Sequence, residues 1–169
     1  MKNLKFTLKA WPVIAVATIG LCYLTQLVAG WCGIELKEQQ NVDLIRQMAG
    51  WNARFIFNCA LVIVIMPMIE EAIFRGLLAR LPIKTLSPRL PHSVIRSFGY
   101  SVIALSSALF SAAHYCAQPW PDNAFLALFF FGLAQCWLYK KTNIWCAMLN
   151  HGLFNATNLV LLFVLPAEM

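Results

Sequence analysis

Charge is what this sequence has least of. Asp, Glu, Lys and Arg make up 12% of its 169 residues, about half the roughly 25% of an ordinary soluble domain and too little to cover a soluble globule. Acid is the scarcer sign, with seven Asp and Glu against 13 Lys and Arg. No internal repeat and no low-complexity tract is present, which leaves one helical bundle without a second domain. The six cysteines show no CxxC or Cys/His ligand spacing; Cys22, Cys59, Cys136 and Cys146 read as packing residues. Cys32 and Cys116 fall near one face, where an oxidising compartment would permit a disulfide. What is abundant is apolar surface: 60% of residues, against about 45–50% in soluble domains. A disordered chain and a nucleic-acid domain are excluded. The net charge of +6 lies in the gaps between apolar runs, the arrangement that sets membrane topology.

The uncharged runs are Ala10–Ile34, Phe55–Ile69, Ser97–Pro121, Asn123–Tyr139 and Thr142–Ala167. A helix needs about 20 largely apolar residues to cross roughly 30 Å of hydrocarbon, and three of the five exceed that. Asn123–Tyr139 is at the short end, with Trp137 and Tyr139 as interfacial anchors and Lys140 and Lys141 as a stop. Phe55–Ile69 covers only about 22 Å at 1.5 Å per residue, so it crosses only if Arg54 snorkels or if Glu70 and Glu71 enter the bilayer. Backbone groups in lipid must be satisfied internally. The expected fold is therefore all-α, a polytopic membrane helical bundle with about five transmembrane helices. The first run reads as a retained helix rather than a cleaved signal.

With five spans, Lys2, Lys5, Lys9, Arg75, Arg80, Lys84, Arg89, Arg96, Lys140 and Lys141 fall on one side, against Lys37, Arg46 and Arg54 on the other. This bias puts the N-terminus in the cytoplasm and the C-terminus outside. The connections are a polar outer segment from Trp31 to Arg54 and a cytoplasmic loop from Leu81 to Arg96 containing Pro82, Pro88 and Pro91. The bilayer itself is the first partner implied.

Ionisable groups inside spans are expensive and usually face a bundle interior or a water-filled cavity. Glu70 and Glu71 close the second run in MPMIEEAIFRGLLARL, just after Pro67, which frees backbone carbonyls and bends a helix. Residues four apart share a helix face while adjacent ones diverge by about 100°. Glu71 is thus expected to pair with Arg75, leaving Glu70 free to act. The third run carries Phe110 and His114, and the last carries His151 and Asn155, each pair four apart; Asn150 and Asn158 lie nearby. Taken singly, these residues read equally well as a terminal charge cluster, a packed histidine and interhelical glue. Together, a carboxylate, two imidazoles and an amide make a hydrolytic set. The carboxylate takes a proton from water, and imidazole and amide donors stabilise the oxyanion formed on a peptide carbonyl.

Zinc is the alternative activator, since Glu70, His114 and His151 could supply the three ligands of a hydrolytic site. However, the last helix carries His and Asn at a spacing of four, with no intervening Glu, unlike a zincin. No cofactor is the favoured reading.

At these residues the sequence resembles the CPBP family of intramembrane proteases, also called the CAAX protease and bacteriocin-processing or Abi family, which includes the type II CAAX prenyl endopeptidases. The family signatures EExxxR, FxxxH and HxxxN read here as Glu70-Glu71-Ala72-Ile73-Phe74-Arg75, Phe110-Ser111-Ala112-Ala113-His114 and His151-Gly152-Leu153-Phe154-Asn155. The resemblance implies an endopeptidase in which Glu70 activates water; Glu70, Glu71, His114, His151 and Asn155 form the catalytic set, with Arg75 and Phe110 in support. On this reading residues 1–65 hold the first helix, the outer loop and the start of the second helix. Residues 66–160 are the catalytic core and 161–169 a short tail.

The chain is short for that family, so a substrate gate built from extra helices would be missing or would come from a partner subunit. The substrate would be a membrane-associated peptide or a protein C-terminal tail. Brevity and the MKNLK start point to a bacterial inner membrane, where prenylated tails are not expected. An ion-coupled carrier relaying protons through Glu70 and Glu71 is one competing reading, although no inverted repeat is present; a non-catalytic immunity or scaffold protein is another. Depth supplies a test. For His114 to reach Glu70, the third helix has to start near His92, well before its uncharged run.

Overall fold

The computed structural model of the protein describes residues 1–37, 52–115, 122 and 124–164. Among these lie five helices and no strand: α1 (Lys2–Trp31), α2 (Ala53–Leu86), α3 (His92–Ala113), α4 (Phe125–Lys141) and α5 (Ile144–Val164). All except α4 are long and apolar enough to cross a membrane. With 17 residues, α4 spans about 25 Å, at the lower limit for crossing. The protein is a multi-pass integral membrane helical bundle, as its composition requires.

Local chemistry sets the helix ends. Gly33 takes φ +69 and Ile34 N–H donates to Ala29 O at 2.9 Å, so α1 closes on a left-handed glycine. Asn52 caps α2 by accepting from Phe55 N–H at 2.9 Å, and Asn143 caps α5 by accepting from Cys146 N–H at 3.0 Å. Asp122 accepts from Ala124 and Phe125 N–H at 2.8 and 3.1 Å at the start of α4, and from the Tyr115 hydroxyl beyond α3. Burial, then the hydrogen bond to Asp122 and its charge, hold Tyr115 above its ordinary pKa.

Two sequence expectations are corrected here. Glu70 and Glu71 do not mark the cytoplasmic end of the second span: α2 continues unbroken for 34 residues, so the carboxylates sit mid-helix, and Arg75, counted above with the cytoplasmic charges, is fully buried. Nor do residues 81–96 form one loop. Helix persists through Pro82 to Leu86, and only residues 87–91 separate α2 from α3. The start of α3 at His92 is where the depth argument put it. Most of the Trp31–Arg54 connection, Cys116 and the chain after Val164 lie outside the described residues.

Small residues let the helices approach closely. A Cβ on Gly132 would come within 2.9 Å of the Ser107 Cβ, so α4 lies directly on α3. Ser106 Oγ donates to Phe74 O at 2.5 Å and Ser111 Oγ to Phe125 O at 2.7 Å, tying α3 to α2 and α4. Asn150 Nδ2 donates to Gln135 Oε1 at 3.2 Å, an amide bridge between α5 and α4. Ile14 and Ala15 of α1 join Phe110, Phe131 and Phe154 in the core. Phe6 packs on Trp137 with ring centroids 5.6 Å apart, and Arg80 Nη1 donates to the Tyr139 hydroxyl at 2.5 Å. The N-terminus of α1 and the C-terminal ends of α2 and α4 therefore share one basic end of the bundle.

Candidate active site

The geometry begins at Pro67. Between Leu61 and Ile65, α2 is π-helical and Met66 N–H donates five residues back, to Leu61 O. Residue 67 would be the next donor in that series, but proline has no N–H, which leaves the Val62 carbonyl without its helix partner. Asn155 Nδ2 fills the vacancy at 2.8 Å. One turn earlier on α5, a Cβ added at Gly152 would collide with the Ile63 carbonyl oxygen, so only glycine lets α5 lie this close to the opened turn. Unpaired carbonyls inside a membrane bundle are costly, and Gly152 with Asn155 supplies the fit that satisfies one of them.

Glu70 and Glu71 close the α-helical segment Met66–Glu71, before a second π-helical stretch, Ala72–Arg80. π-Helical turns are rare and cluster at functional sites. Glu71 is fully buried. Its Oε2 lies 3.1 Å from Arg75 Nε, an ion pair that falls short of hydrogen-bond alignment, and its Oε1 accepts from His151 Nδ1 at 2.9 Å. Arg75 is wedged among three helices: its guanidinium carbon is 4.4 Å from the centroid of the Phe110 ring, a cation–π contact, and Nη2 reaches Gly132 O at 3.5 Å. Glu70, rotated away from this pair, has Oε2 at 3.5 Å from His151 Nε2 and keeps 17% of its side chain accessible. His151 thus lies between the two carboxylates.

His114 follows the last residue of α3. Its Nδ1 lies 2.9 Å from Phe110 O; a carbonyl can only accept, so Nδ1 carries the proton and Nε2 is left uncommitted. The aromatic floor holds both imidazoles. Phe110 contacts His114 at 4.7 Å and His151 at 5.7 Å between centroids, and Phe131 packs against His151 at 5.1 Å. The bundle therefore gathers Glu70, Glu71, Arg75, Phe110, His114 and His151 into one cluster, with Asn155 one turn beyond His151. Phe131 and the bond from Asn155 to Val62 O were not singled out in the sequence, although Pro67 was: Phe131 sits in the uniform run FLALFFFG, and a π-helical offset leaves no periodic trace in a wholly apolar stretch.

Comparison with protein families matches residues 52–157 to the type II CAAX prenyl endopeptidase Rce1-like family. The chain belongs to that family. The match runs from the cap of α2 into α5 and takes in the whole cluster. Neither curated proteins nor solved structures gave a match. As an Rce1-like CAAX protease the protein is an intramembrane endopeptidase with a peptide substrate and a membrane environment. A hydrolytic zinc would require three protein ligands converging on one point. Among the described residues no group of three His, Cys, Asp or Glu is arranged to hold a metal ion, Glu70, His114 and His151 included.

Proposed function

We propose that the protein is a glutamic-type endopeptidase that hydrolyses membrane-associated peptides or protein C-terminal tails, with Glu70 as the base. The supporting observation is the division of labour between adjacent carboxylates. Glu71 is committed to Arg75 and His151, whereas Glu70 faces the imidazole edge at 3.5 Å and remains partly accessible. Glu70 removes a proton from water as the oxygen attacks the peptide carbonyl, then passes that proton to the departing nitrogen as the C–N bond breaks. His114 Nε2 orients the water.

The oxyanion needs N–H donors. An amide nitrogen carries two hydrogens, and Asn155 spends one on Val62 O, so the other is available. His151, held by Glu71 through Nδ1, faces Glu70 through Nε2 and completes the site beside it.

The basic end of the bundle faces the cytoplasm in this proposal, and the membrane is a bacterial inner membrane. The substrate is a dedicated peptide or tail without a prenyl group. Incubating the purified protein in liposomes with a tail peptide, with and without chelator, tests the reading by mass spectrometry of the products. Cleavage that survives chelation is expected. Loss of cleavage on chelation would mean a metalloprotease, and absence of any product would favour a carrier or scaffold.

A further inference from the structure

A cleft of about 500 Å³ opens at the basic end of the bundle, between α2, the end of α4 and the start of α5. Its size falls within the roughly 300–1,000 Å³ of ligand sites. Its lining is mostly apolar and includes Ile144 and Met148, and Arg80, Lys84 and Tyr139 also border it, Arg80 and Lys84 exposed at its rim. Gly76 forms part of the floor, and a Cβ added there would meet nothing within 4 Å. A side chain at that position would therefore project into open space.

The rim is built and uncompensated. Tyr139 holds Arg80 by the 2.5 Å hydrogen bond to its hydroxyl, and the guanidinium carbon lies 5.5 Å from the ring centroid. A guanidinium has five N–H donors, so most remain available. Lys84 lies four residues on, one helical turn away on the same face, where like charges repel. Among the described residues no carboxylate is within ion-pair distance of either. An apolar slot with two cations at its mouth, at the basic end of a membrane-spanning bundle, complements one molecule the bilayer supplies in quantity: a phospholipid with an anionic headgroup.

We propose that this cleft binds one anionic phospholipid, headgroup on Arg80 and Lys84 and acyl chain along Ile144 and Met148. The inference does not depend on the protease chemistry, because its readout is binding.

The test uses the full-length protein in nanodiscs of phosphatidylcholine with and without phosphatidylglycerol, reading thermal unfolding and, by native mass spectrometry, the number of retained lipids. The expected result is one retained phosphatidylglycerol and a rise in unfolding midpoint of about 5 °C. Arg80→Gln with Lys84→Gln should lose the preference for phosphatidylglycerol. Gly76→Phe, whose side chain enters the cleft, should lose the retained lipid. Lys141→Gln, at the same end but outside the cleft, should keep both effects. Equal retention of the two lipids by the wild type would overturn the assignment without recourse to any variant. So would a loss in Lys141→Gln as large as in the rim variant, which would mean diffuse attraction. Inorganic phosphate or a tail peptide that reproduced the midpoint shift in phosphatidylcholine alone would make the cleft a general anion or substrate site and would likewise overturn it.

Discussion

Two neighbouring glutamates with the same side chain have different surroundings, and position on the helix is the cause. Glu71 and Arg75 share a face and are both fully buried. Removing one member of a buried pair strands the other, at a cost of about 3–5 kcal/mol. Glu71→Gln and Arg75→Met should each lower stability by about that amount, and the double variant by less than the sum, as read by thermal unfolding in detergent. If the two losses simply add, the pair is not coupled as described. The pairing was legible in the spacing EExxxR, because a repeat of four needs no tertiary information. The bond from Asn155 to Val62 O was not legible: it depends on which carbonyl a π-helical offset exposes at a proline, and the sequence records the proline but not the offset.

At the scale of elements, α2 carries the design. Its π-helical stretches flank the carboxylate segment, and α5 docks on the first of them through Gly152. Gly152→Ala should force α5 away from the Ile63 carbonyl, costing about 1–3 kcal/mol by overpacking and lowering cleavage by displacing His151. Pro67→Ala gives the opposite split. It returns an N–H that can satisfy Val62 O and release Asn155, so cleavage should fall while the unfolding midpoint holds or rises. A variant that lost stability and kept activity would contradict this account of the turn. The length of α2 was hidden in the sequence because Glu70, Glu71 and Arg75 look like the end of a span; the pairing of Glu71 with Arg75 and its hydrogen bond from His151 are what let the helix carry them onward. The start of α3 could be read by contrast, since Pro91 immediately precedes it and the reach to His114 demanded it.

For the whole molecule, composition and the five uncharged runs were enough to give an all-α membrane bundle, because lipid permits few alternatives. How the helices surround the site was not readable: it rests on contacts such as Gly132 on Ser107, in which small residues carry no directional label. The charge bias predicts a cytoplasmic N-terminus, and reporter fusions at each end check it; a C-terminal reporter active only in the cytoplasm would reverse the topology. The central claim remains that Glu70, and not its neighbour, activates water. The most direct measurement is the cleavage rate of Glu70→Gln on a tail peptide, taken together with its unfolding midpoint. The account predicts a loss of about 10²–10⁴-fold, the usual size of a general-base contribution, with the midpoint unchanged. A variant that folds normally and cleaves at close to the wild-type rate would contradict it.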